Sequence, residues 1–170
     1  MKRSLPISNI SLWLIILLIL LIIFLGIATY LGLFGLLHFK LGPFYFHHWM
    51  TLIGSAYIAI LVPILHNLRS HNPRRYGTLI KFHMFGNLIS VSLITIHFSR
   101  QLSRSLQAPV DLGTGLMLYF TVFLLVLTGI LLRFGFIRNK RAWWRYIHTG
   151  VTTAFYIIII FHTLHGLGII

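Results

Sequence analysis

The chain has 170 residues, of which 58% are hydrophobic and 9% charged, whereas soluble domains are roughly half apolar and a quarter charged. It contains no cysteine, which excludes disulfides, thiolate metal sites, iron–sulfur clusters and covalent attachment of a haem through Cys-x-x-Cys-His. Fourteen Lys and Arg against the single acid Asp111 leave a net charge of +13; because these cations lie between apolar runs, they point to membrane topology and anionic lipid rather than to nucleic acid as the partner.

A helix needs about 20 apolar residues to cross the hydrocarbon core, and five runs qualify: 10–37, 49–68, 79–98, 114–132 and 146–167. The first follows Lys2 and Arg3. Its uncharged stretch exceeds the roughly 7–15 residues of a signal-peptide core, so it is expected to remain as a span. This helix and its connection make up residues 1–46, and residues 47–170 are expected to form a bundle of four helices. The predicted class is an all-α membrane protein with five transmembrane helices. In the second span Pro63 removes one N–H, which is tolerable where a neighbour satisfies the freed carbonyl. The connections 69–78, 99–112 and 133–145 are short and basic. Eleven Lys and Arg fall on the side of the N-terminus, and only Lys40, Arg100 and Arg104 on the other. The positive-inside rule therefore predicts a cytoplasmic N-terminus and an outer C-terminus. Trp49 at one boundary and Trp143, Trp144 and Tyr146 at another match interfacial aromatic belts.

Ten histidines stand out in such a chain, because polar side chains at membrane depth are costly and tend to be functional. His83 and His97 are 14 residues apart in the third span, and His148 and His162 are 14 apart in the fifth. Fourteen residues turn a helix to within about 40° of four full turns and advance it by about 21 Å. Both members of each pair thus share a helix face, one near each edge of the membrane. One span separates the third from the fifth, so these two run the same way. His83 then faces His148 at the cytoplasmic level and His97 faces His162 at the outer level. Two imidazoles from opposing helices at each level are the donors that clamp a haem iron from both sides. Six-coordinate bis-histidine iron leaves no open position, which suits one-electron relay. The competing readings are helix capping or packing, and a proton relay or transition-metal site. A metal site would gather its ligands around one ion, unlike pairs separated by the membrane thickness.

Between the ligands of the third span, Gly86, Asn87, Ser90 and Ile94 share the face. The small side chains of Gly86 and Ser90 would let a flat macrocycle approach, although small-residue helix packing reads equally well. Lys81 and Arg145 are placed for the propionates of an inner haem, and Arg100 for those of an outer one. Each also reads as an interfacial charge. His48 and His66, 18 residues apart, share a face at the membrane edges. His38, His47 and His71 are expected to meet water or headgroups, and His165 lies one turn after His162. Asp111 is expected to pair with Arg104.

The segments KFHMFGNLISVSLITIHF and YIHTGVTTAFYIIIIFH resemble the haem-binding helices of membrane cytochromes b. These occur in quinol-oxidising bc complexes and, in similar form, in ferric-reductase-like and NADPH-oxidase-like transmembrane domains. The resemblance covers about residues 47–167. It implies that His83, His97, His148 and His162 are axial ligands of two b-type haems. It also implies transmembrane electron transfer as the cytochrome b subunit of a respiratory or reductase complex, with electrons supplied by a partner subunit, a soluble carrier or a quinone. The alternative from a different class is a structural membrane anchor without a redox centre. A transporter ranks last, since the spans carry no acidic residue.

Overall fold

In a computed structural model of the chain, the described residues are 9–71, 73–106, 112–134 and 138–169. Lys2, Arg3 and Asp111, with its expected partnership to Arg104, lie outside them. Five helices are present among the described residues: α1 (Asn9–Tyr30), α2 (Phe46–His71), α3 (Pro73–Ser105), α4 (Gly113–Phe134) and α5 (Arg141–Gly166). All five are long and apolar enough to cross a membrane. Their outward faces carry bare apolar side chains such as Trp13, Phe24, Phe123 and Phe161. Water would penalise that surface, and lipid does not.

The first span ends earlier than hydropathy alone suggests. Gly32 takes φ +75°, a conformation that only glycine adopts without strain. The N–H of Gly32 reaches Thr29 and that of Leu33 reaches Ala28, the paired bonds that close a helix C-terminus. The apolar residues beyond it belong to a 3-10 turn (Gly35–His38) and a small hairpin of β1 (Lys40–Leu41) and β2 (Phe44–Tyr45). Trp49 Nε1 donates to the Leu41 carbonyl at 2.9 Å, tying this hairpin to α2.

Helix α3 touches α1, α2 and α4, while α4 and α5 form the other tight pair. The N-terminal helix packs directly on α3, where a side chain at Gly26 would meet Thr95 at 3.1 Å. Pro63 sits within α2, and its missing N–H leaves the Ala59 carbonyl, four residues earlier, without its helical partner. Tyr156 on α5 supplies the replacement, donating its hydroxyl to that carbonyl at 2.8 Å.

The central core consists of Ile58, Val91, Ile94, Leu118, Val122 and Phe155. Phe155, fully buried, lies seven residues from both His148 and His162. The apolar layer therefore occupies the middle of the bundle, between the two histidine levels.

Candidate functional site

His83 and His97 project from α3, His148 and His162 from α5. His83 lies within electrostatic reach of His148, and His97 within reach of His162. Same-level pairing of this kind requires α3 and α5 to run in the same direction. Helix α4, between them in sequence, carries a matching interval. Its dipeptides Thr114-Gly115 and Thr128-Gly129 are also 14 residues apart.

Each dipeptide meets one histidine of α5. Thr128 Oγ1 lies 2.7 Å from Nδ1 of His148, and its hydroxyl also donates to the Leu124 carbonyl at 2.7 Å. With its hydrogen committed there, the Thr128 oxygen accepts the Nδ1–H of His148. The lone pair of the neutral ring then rests on Nε2. Thr114 Oγ1 lies 3.0 Å from Nδ1 of His162. The glycines leave room for these rings: a Cβ would come within 3.6 Å of His148 Cε1 at Gly129 and 3.3 Å of His162 Cε1 at Gly115.

Next to His83, the amide nitrogen of Asn87 is 3.2 Å from Nδ1, while its amide oxygen is buried without a partner. A half-turn of that amide sets the oxygen against Nδ1–H and frees Nε2 in the same manner. His97 differs. Its Nδ1 is buried and makes no hydrogen bond, and its ring packs against those of His47 and His48, with centroids 5.3 and 5.0 Å away.

A cavity of about 140 Å³ opens between α2, α3, α4 and α5 at the His97 level, lined by Thr51, His97 and His162 together with Gly115, Phe98 and Tyr119. The stacked rings of Phe98 and Tyr119, with centroids 4.1 Å apart, form one wall of it. Nδ1 lies beside a neighbouring side chain at three of the four positions and a glycine faces two of the rings, so His83, His148 and His162 have Nε2 as the donor that could hold a haem iron.

Gly86 and Ser90 do something other than leave a flat open face. A Cβ on Gly86 would collide with the Tyr57 hydroxyl, which donates to the Phe82 carbonyl at 2.8 Å. Ser90 is buried, and its carbonyl would lie 2.9 Å from a Cβ on Gly54. The stripe is the seat of α2. Lys81 and Arg145 are exposed, whereas Arg100 is half-buried and within electrostatic reach of His47.

His47, expected to meet water or headgroups, is instead 2% exposed. The hairpin folds the chain back so that His47 Nδ1 lies 3.1 Å from the Leu37 carbonyl and the Tyr45 ring stacks on it at 5.7 Å. The histidines also gather more closely than separated pairs imply. His47, His48 and His97 each place one ring nitrogen within 4.8 Å of the others. His71 and His165 are exposed, and the side chains of His38 and His66 lie outside the described set.

Sequence reasoning missed Thr114, Gly115 and Thr128, although the repeat of Thr-Gly at the histidine interval was there to be read. It also missed the contribution of His47, which depends on a hairpin that hydropathy does not reveal. No family model, curated relative or solved structure matches the chain.

Proposed function

We propose that this chain is a membrane cytochrome b that passes electrons across the bilayer through two b-type haems. The reading is supported above all by one coincidence of intervals: the 14-residue spacing of the histidines on α3 and α5 recurs in the Thr-Gly dipeptides of α4 that hold two of them. Packing alone has no need of a hydroxyl against Nδ1 at both ends of one helix.

A haem between two imidazoles supplies reversible one-electron uptake with no open position for oxygen. His83 and His148 bind at one level, His97 and His162 at the other. Thr128 and Thr114 orient their rings, and such partners typically contribute about 10- to 100-fold in metal affinity. Phe155 and Val122 keep water from the layer between the levels. Lys81 and Arg145 at one level and Arg100 at the other are the cations for propionates. The charge distribution supports a cytoplasmic N-terminus. Electrons enter and leave through partner subunits of a respiratory or reductase complex, a soluble carrier or a quinone.

A pyridine haemochrome assay on the purified protein tests this, with about two haems b per chain as the expected result and none as the result that defeats it. The packing of Gly86 and Ser90 against α2 favours the second reading, a structural membrane anchor. That alternative predicts a colourless protein.

A further inference from the structure

At the start of α2, His47 is 98% buried, its Nδ1 3.1 Å from the Leu37 carbonyl. A carbonyl only accepts, so the ring hydrogen sits on Nδ1 and the lone pair of the neutral imidazole on Nε2. That Nε2 is buried and has no partner, as are Nδ1 of His48 and Nδ1 of His97. Leaving one buried polar group unsatisfied is costly, and here three occur within one cluster.

The three rings have centroids 4.2, 5.0 and 5.3 Å apart, and one nitrogen from each lies within 4.8 Å of the others. Imidazoles bound tetrahedrally to zinc at about 2.0–2.1 Å place their nitrogens about 3.4 Å apart. Small side-chain rotations close the difference. The donors are three neutral nitrogens. The chain has no cysteine, and no carboxylate of the described residues lies in the cluster. Such a set selects zinc or copper over magnesium, calcium or manganese.

From this geometry we infer that His47, His48 and His97 form a binding site for one Zn2+ or Cu2+ ion, which is filled only when no haem is held at the His97–His162 level. A three-histidine set leaves the fourth position open. Arg100 and Arg104, within electrostatic reach of His47, favour an anion there. Exclusion follows from His97: binding two metals at once would require its ring to give up its last proton. The metal site itself stands independently of the haem reading.

The test uses the full chain in detergent, washed with chelator and titrated calorimetrically with Zn2+. His162→Ala keeps the three histidines whole while removing the opposing imidazole. It is expected to take up one Zn2+ per chain, and zinc X-ray absorption should report three imidazole nitrogens. His47→Ala or His48→Ala in that background should weaken binding more than about tenfold. If His162→Ala does not accumulate, Gly115→Leu serves in its place by filling the space against that ring. No Zn2+ uptake, or uptake indifferent to His47 and His48, overturns the inference. A wild-type protein that binds one Zn2+ and no haem sinks the cytochrome reading and leaves this site standing. Two haems in the wild type with no Zn2+ on His162→Ala does the reverse.

Discussion

At the His83–His148 level each imidazole has a single polar neighbour at Nδ1, Asn87 or Thr128, whereas at the His97–His162 level Thr114 holds one ring and two further imidazoles press against the other. Among the described residues the first level has only these two imidazoles. The second has four, because the 3-10 turn and hairpin deliver His47 and His48 to the end of α3. Equal spacing along two helices thus produces unequal sites, and the inequality comes from a segment outside the helices that carry the repeat.

The largest effect that would sharpen this contrast comes from deleting one α3 histidine at each level. His83→Ala should lower the haem content from two to about one per chain in a haemochrome assay. His97→Ala should retain part of its haem with altered ligation, visible as a shifted low-spin signal, because His47 and His48 stand by. Equal losses in both variants would break the comparison.

Next in size is Thr128→Val, which keeps the shape of the side chain and removes the acceptor for the Nδ1–H of His148. Haem affinity at that level should fall about 10- to 100-fold, measured by haem titration of the apoprotein, with the other level unaffected. Gly115→Leu should act only on the His97–His162 level, through overpacking of about 1–3 kcal/mol. Its readout is the loss of one of two redox midpoints. The smallest effect belongs to the layer shared by both levels. Tyr156→Phe leaves the Ala59 carbonyl unpaired beside Pro63 and should lower stability by about 1–3 kcal/mol in detergent unfolding, without changing haem content.

The helices were legible from the sequence because an apolar run of membrane length has few other uses. The histidine pairs were legible because a 14-residue interval keeps a helix face. Even the demand that Pro63 makes on a neighbour could be stated in advance, although Tyr156 as the donor could not, since it comes from a helix nearly a hundred residues away. What stayed hidden depends on irregular backbone. Gly32 stops α1 where hydropathy continues, and the turn at Gly42 carries His47 inward rather than into water. Gly86 and Ser90 were ambiguous for a different reason: small residues admit either a cofactor or a neighbouring helix, and only the position of Tyr57 shows which side chain sits there.

The central claim is that four imidazoles act as two same-level couples. Low-temperature electron paramagnetic resonance of the oxidised protein tests it most directly. The account predicts two low-spin ferric signals of bis-imidazole type, one of them lost in both His83→Ala and His148→Ala. A haem-free spectrum, or a signal lost jointly by His83→Ala and His162→Ala, would contradict it.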